Sequence, residues 1–241
     1  FSFWYRLEWA INNGKGCYFA KDILSYQKEY AGYRNDYIEA TKLTNHDEDR
    51  AASKLGKSAD KCKLAAAMLL TAAGSPYIYY GEELGLYGTK SNGDEYVRAP
   101  MLWGDNYVTK YTDKVDKNMA SSIKSADKQK EDAKSLLNTY LMFTQLRNTY
   151  PALAEGKMEK HPVYNESKEK DFVSIAAWYM VKDNEKLLVI HNLKGSAVEL
   201  PLTDKFEKVI AVSGNVQQKG ESGNATFKMG AYSSLVLKVT K

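Results

Sequence analysis

The sequence predicts an α/β fold of barrel type followed by an antiparallel β domain. Three observations carry this. Residues 38–80 read as strand, helix and strand, the order that builds a parallel sheet. The polar run Thr44-Asn45-His46-Asp47-Glu48-Asp49-Arg50 sits where a strand ends and a helical pattern begins, the lip at which α/β barrels keep their chemistry. From about Asp171 the pattern changes to short alternating strands punctuated by Gly, Asn and Asp.

Taken in order, Phe1-Ser2-Phe3-Trp4-Tyr5 reads as the end of a buried strand, and so abrupt an apolar start is expected of a piece of a longer chain. Ile23, Leu24, Tyr26 and Tyr30 give helical spacing over Lys21 to Tyr33. Ile38 to Thr44 is a β-branched, apolar-containing strand, and Asn45 or Asp47 is suited to cap the helix that follows. That helix runs from Ala51 to Ala73. Its second half, around Leu64 to Leu70, is apolar all round and therefore expected to be buried. Gly74 and Pro76 stop it, and Tyr77 to Tyr80 reads as a short buried strand. Gly81 to Lys130 is a long polar stretch, a length that implies function or local helices. Glu131 to Asn148 is an amphipathic helix with Ala133, Leu136, Leu137, Tyr140 and Leu141 on one face, closed by Pro151. The β region is expected to use Phe172–Val181, Leu187–Asn192, Ala197–Leu200, Lys208–Val212, Ala225–Lys228 and Ser234–Val239 as strands of a sandwich. The domain division that follows is 1–154 and 155–241.

Composition narrows the function classes. The chain has 241 residues, 44% apolar and 27% charged, enough for one or two domains with real cores. Net charge is +4 with dispersed lysines and a mild cluster from Lys110 to Lys134, a solvated face that argues against a nucleic-acid partner. No apolar run approaches the roughly 18 residues of a membrane span. Cys17 and Cys62 are too few for a disulfide scaffold and have no metal-ligand spacing. The 18 Tyr and 4 Trp offer flat faces with a polar tip, suited to sugar rings and equally to cores.

Four segments together resemble one family. Leu43-Thr44-Asn45-His46-Asp47 resembles the fourth signature region of the α-amylase family, glycoside hydrolase family 13. Gly74 to Gly85 resembles the family's eighth barrel strand and the loop after it. Arg98-Ala99-Pro100-Met101-Leu102-Trp103 resembles part of its long eighth loop, and Gln145 to Leu153 its final barrel helix. The segments follow one another over residues 40–153. The resemblance is nearest to cell-surface starch-utilisation members from gut Bacteroidetes. It implies the C-terminal portion of a (β/α)8 barrel, strands six to eight, with Phe1 to Tyr5 ending strand six and strands one to five lying outside this sequence.

The resemblance also implies a retaining glycosidase, in which two carboxylates about 5 Å apart act as nucleophile and acid/base around an oxocarbenium-like transition state. Neither motif is in this chain. Asp47 matches a third carboxylate, which accepts hydrogen bonds from hydroxyls of the sugar being cleaved and favours its distorted ring. His46 matches a donor to the same sugar. Asp94 and Arg98 resemble an acid/arginine pair that grips the neighbouring glucose in neopullulanase-like and oligoglucosidase-like members. Tyr96 and Trp103 are candidates to stack on glucose, with loop packing the plainer role for Trp103. Arg50 is open between supporting the site and pairing with Asp47 or Asp49. Glu48 and Asp49 read as first-turn acids, and Glu82 and Glu83 as ties of the loop after strand eight. Trp178, Tyr179, His191 and Tyr232 read mostly as core of the sandwich.

The implied reaction is hydrolysis of internal α-1,4-glucosidic bonds in starch and maltooligosaccharides. Alternatives are a neopullulanase, oligo-1,6-glucosidase or glucan transferase on the same scaffold, a non-catalytic α-glucan-binding subunit, or an independent glycan-binding module in residues 155–241. Calcium is implied as a cofactor with ligands outside this chain, which itself presents no metal set. Implied partners are the missing N-terminal part of the barrel and other starch-uptake proteins. The implied location is extracellular or at the cell surface, with the cytoplasm left open.

Overall fold

The computed structural model describes residues 2–104 and 122–240. Phe1 and the first lysines of the cluster, Lys110 to Lys117, lie outside the described residues.

The α/β part begins with two helices, α1 (Ser2–Asn13) and α2 (Phe19–Ala31). This overturns the reading of residues 1–5 as the end of barrel strand six. Phe3, Trp4, Leu7, Ala10 and Ile11 are all buried, and their spacing is that of one helical face. The aromatic residues that suggest a strand here are packing residues of a helix. Strand β1 (Ala40–Lys42) pairs in parallel with β2 (Ser75–Tyr77), Thr41 opposite Pro76. These are the two barrel strands among the described residues, and the helices between them make the connection that parallel pairing requires. Tyr77, Ile78 and Tyr80, expected to be buried, are exposed. Among the described residues β2 pairs only with β1, so its other edge and its inward face are uncovered.

The long helix expected after β1 is two helices, α3 (Ala51–Lys54) and α4 (Ala59–Thr71). Gly56 and Lys57 both take left-handed backbone between them, and Ser58 restarts the helix by accepting a hydrogen bond from the Lys61 N–H. The body of α4, Leu64 to Thr71, is buried on every side, as its composition dictates. Gly74 then takes φ +117°, where a Cβ would lie 2.8 Å from the Glu39 carbonyl oxygen, so the approach of the two strands requires glycine.

Past β2 come two short 3-10 turns (Glu82–Leu84 and Lys90–Asn92) and the helices α5 (Asp94–Val97) and α6 (Ala126–Glu131). The final long helix, α7 (Leu136–Thr149), starts five residues later than its apolar spacing suggests. Asp132 ends α6, and Ser135 caps α7 by accepting from the Asn138 N–H at 3.0 Å. Leu136, Tyr140, Phe143 and Leu146 face the core, whereas Ala133 precedes the helix and Leu141 points to solvent. Pro151 opens a further short helix, α8 (Pro151–Glu155), where its missing N–H costs nothing. Arg147 on α7 is buried and donates to the carbonyls of Leu70, Ala72 and Gly74, which fixes the turn from α4 into β2.

The β part is a sandwich. One sheet has the order β3-β4-β5-β10-β7, from Lys157–Lys160, Ile175–Lys182, Glu185–Asn192, Ser234–Val239 and Phe206–Ser213. The other has the order β6-β9-β8, from Val198–Leu202, Asn224–Met229 and Val216–Glu221. The strands β3 and β8 are additional to those expected. Both are polar edge strands whose sequences, Lys-Met-Glu-Lys and Val-Gln-Gln-Lys-Gly-Glu, carry little apolar alternation.

Alternation along β4 decides how the two parts join. Ile175, Ala177 and Tyr179 pack inside the sandwich with Leu188, Ile190, Phe227 and Leu235. Ala176, Trp178 and Met180 turn the other way and join the core of the helices. The larger sheet is therefore covered on both faces. Trp178 Nε1 donates to the Thr71 carbonyl at 3.2 Å, and its ring lies 5.6 Å from that of Phe19. Trp178 and His191 are thus buried between the two parts rather than inside the sandwich.

Candidate active site

The polar run follows β1 directly. Thr44 is buried, and Asn45 folds the next residues into a turn by accepting the Asp47 N–H at 2.8 Å on its side-chain oxygen. The side chains of His46 and Asp47 project outward and are exposed. His46 Nε2 lies 3.0 Å from Asp47 Oδ2.

The loop after β2 closes on this lip from one side. The Arg50 N–H donates to the Gly88 carbonyl at 3.0 Å, the Gly88 N–H to Ser53 Oγ at 2.8 Å, and the Lys90 N–H to Asp49 Oδ1 at 2.7 Å. Gly88 admits no side chain, because a Cβ would lie 1.8 Å from the Tyr96 carbonyl oxygen. Lys90, Asp94 and Arg98 are thereby held against Asp47. Arg98 Nη2 reaches Asp47 Oδ1 at 2.9 Å and Asp94 Oδ2 at 2.7 Å, and its Nε donates to the His46 carbonyl at 3.2 Å. Lys90 Nζ reaches Asp47 Oδ1 at 3.1 Å and also bonds Asp94 Oδ1. Two carboxylates and two cations alternate around one exposed ring of contacts. The Lys90 hydrogen bond, with His46 and Arg98 beside it, holds the Asp47 carboxyl below the usual carboxylate range. Lys90 does the same for Asp94, with the charge of Arg98 adding to it. Both are carboxylates able to accept from hydroxyls at any ordinary pH.

The structure thus gathers four of the sequence candidates, His46, Asp47, Asp94 and Arg98, and adds Lys90. A lysine in a Gly-, Ser- and Asn-rich loop carries no motif. The one signal for it is its position four residues before Asp94, the spacing of a helical ion pair.

Arg50 is placed elsewhere. It is buried, donates to the carbonyls of Val97 and Tyr80, and lies over the rings of Tyr79 and Tyr80 at 4.1 and 4.8 Å. It pairs with neither Asp47 nor Asp49, and it supports the loop without reaching the surface where a sugar would lie. Glu48 and Asp49 are not first-turn acids either: Glu48 pairs with Lys42, and Asp49 accepts the Lys90 N–H. Tyr96 is half-buried in the loop. Trp103, expected to pack the loop, is 65% exposed. Glu82 is buried and accepts the Tyr140 hydroxyl at 2.6 Å, tying the loop to α7. Burial pushes Glu82 up to about 8, so it is a neutral acid across much of the ordinary range. Among the described residues no three His, Cys, Asp or Glu side chains converge to hold a metal. No helix among the described residues is long and apolar enough to cross a membrane.

Residues 9–156 match the family model of the alpha amylase catalytic domain. The chain belongs to the alpha-amylase family. Residues 175–236 match a second model, the alpha-amylase SusG C-terminal domain. Among curated relatives, "Alpha-amylase SusG" of Bacteroides thetaiotaomicron is 70% identical over 239 residues, which cover 99% of this chain and 34% of that protein. "Alpha-amylase 3" of Dictyoglomus thermophilum is 29% identical over 229 residues, covering 90% of this chain and 42% of that protein. The crystal structure of an alpha-amylase from H. orenii superposes with a TM-score of 0.83 at 26% identity, over 100% of this chain and 48% of that one. The chain spans between a third and a half of the length of these relatives. Its α/β part and its sandwich each fall within one of the two matched family models.

Proposed function

We propose that the full-length enzyme containing this chain hydrolyses internal α-1,4-glucosidic bonds of starch and maltooligosaccharides with retention of configuration, and that Asp47 is its transition-state-stabilising carboxylate. The observation that carries this reading is the state of Asp47: an exposed carboxylate, kept ionised by Lys90, His46 and Arg98, at the lip of a barrel strand. An ionised group there accepts hydroxyl hydrogen bonds that strengthen as positive charge develops on the ring, and it adds no covalent step of its own. His46 donates to the same sugar. Asp94 accepts from the next glucose and Arg98 donates to it. The nucleophile and the acid/base come from the part of the barrel outside this chain. Calcium, on this reading, is held by other parts of the enzyme. The enzyme acts outside the cell or at its surface, in company with other starch-uptake proteins.

The test is Asp47→Asn in the full-length enzyme. The substitution keeps the shape and removes the charge, and kcat on starch is expected to fall at least about a hundredfold. Turnover within a fewfold of wild type would sink the assignment. A product profile on starch and pullulan separates endo-hydrolysis of α-1,4 bonds from the α-1,6 and transferase alternatives.

A further inference from the structure

We propose that Lys90 is a specificity-determining residue of this site. Its ammonium is an exchangeable ligand shared by Asp47 and Asp94, and a hydroxyl pair of the incoming glucan takes its place. The proposal rests on the reading of Asp47 as the sugar-gripping carboxylate and goes beyond it by naming what the sugar must displace.

The acceptors on Asp47 are nearly all in use. A carboxylate has two oxygens and about four lone-pair sites. In Asp47, Oδ1 already receives Lys90 Nζ and Arg98 Nη2, and Oδ2 faces His46 Nε2. One acceptor position is left. Gripping two hydroxyls, one on each oxygen, needs room on Oδ1, whose two lone pairs are both taken, so one of its donors must withdraw. His46 faces Oδ2, and turning it toward the sugar frees nothing on Oδ1. Arg98 is held in place by its additional Nε bond to the His46 carbonyl and by Asp94 Oδ2. Lys90 is held at this point only by its ammonium, at the end of a flexible four-carbon stem. When it withdraws it frees an acceptor on Asp47 and one on Asp94 together. A ligand replaces it fully only by supplying hydroxyls to both carboxylates. That requirement favours glucose units with free hydroxyls facing this lip over sugars substituted there. The backbone of Lys90 stays fixed meanwhile, through its N–H on Asp49 Oδ1.

The experiment measures KM for maltoheptaose in the full-length enzyme. Removing the competitor in Lys90→Met is expected to lower KM about two- to fivefold, the factor that breaking exposed ion pairs corresponds to. Lys90→Arg, whose fork holds both acids, keeps KM at or above the wild-type value. In the wild type itself, added sodium chloride weakens the exposed pairs, so KM falls with salt, and this trend is smaller in Lys90→Met, where the Arg98 pairs remain. A rise of KM in Lys90→Met would mean that the ammonium grips the sugar and overturns the proposal. An unchanged KM, or a salt trend undiminished in Lys90→Met, overturns it too. Loss of turnover in Asp47→Asn beside any of these results leaves the assignment of Asp47 standing while the role of Lys90 fails. If Asp47→Asn keeps its turnover, it is the underlying reading that fails.

Discussion

Tyr140 donates its hydroxyl to Glu82 at 2.6 Å, joining α7 to the loop after β2 in a setting closed to water. Burial raises the Glu82 carboxyl to about 8 from 4.5. The folded state therefore binds a proton that the unfolded chain releases, and the sign follows. The stability held by the neutral acid is fully present below 4.5 and is lost as pH rises through about 8. Glu82→Gln is neutral at every pH, so thermal melts of the full-length variant are expected to show a flatter dependence over that window than wild type. Identical pH slopes would contradict the account. Tyr140→Phe leaves a buried acid without its donor and is expected to cost about 1–3 kcal/mol.

Arg50 lies under the eighth-strand loop, donating to Tyr80 and Val97 while stacked on Tyr79 and Tyr80. Arg50→Met removes the guanidinium donors, leaving Val97 with the Tyr79 hydroxyl alone and the Tyr80 carbonyl without this partner, at about 1–3 kcal/mol. Because Val97 immediately precedes Arg98, slack in this loop is expected to raise KM for maltooligosaccharides as well as lower Tm. A variant with lower Tm and unchanged KM would show that the two surfaces of the loop are uncoupled.

Trp178 joins the sheet to the helices through its ring and through Thr71. Trp178→Ala is expected to destabilise the protein by about 3–5 kcal/mol. Trp178→Phe keeps most of the packing and loses one hydrogen bond, at about 1 kcal/mol. Chemical denaturation of both variants measures the difference, and equal losses would mean that the hydrogen bond outweighs the ring.

His191 Nε2 lies 3.3 Å from Thr71 Oγ1, whose own proton goes to the Ala67 carbonyl, so the ring donates there and accepts from Ser234 at Nδ1. Burial depresses this histidine to about 3 from 6.5. The folded state holds it neutral, so its contribution is present above 6.5 and lost as pH falls toward 3. His191→Gln is expected to shift the onset of acid unfolding to lower pH, read from circular dichroism. An unchanged acid limb would contradict this.

Expressed by itself, residues 1–241 are expected to show no starch hydrolysis, since the two described barrel strands leave an unpaired edge and an uncovered face. A cooperative melt accompanied by amylase activity would overturn this.

Much of the site was legible because its residues sit in short local patterns. Asn45, His46 and Asp47 are contiguous, and Asp94 and Arg98 are one helical turn apart and do pair. What stayed hidden depends on chain folding over longer distances. Nothing near Arg50 in sequence announces that it is buried, since its partners are 30 and 47 residues away. Lys90 acquires its role only when the loop returns to the lip. In the fold, α1 was obscured by aromatic residues that suit strands as well as helices, although Phe3, Leu7, Ala10 and Ile11 hold helical spacing. The strands β3 and β8 were hidden because edge strands need no apolar face.

The larger sheet of the sandwich is an inner layer with helices on one side and the smaller sheet on the other. A C-terminal domain built this way cannot be exchanged between relatives as a cassette. Any graft would have to match Trp178, Met180 and Val189 to the host's own Phe19, α4 and Thr71. Substitutions on the two sides of that seam are therefore expected to have been selected together, and a chimera cut near residue 156 would inherit a mismatch running the length of the sheet.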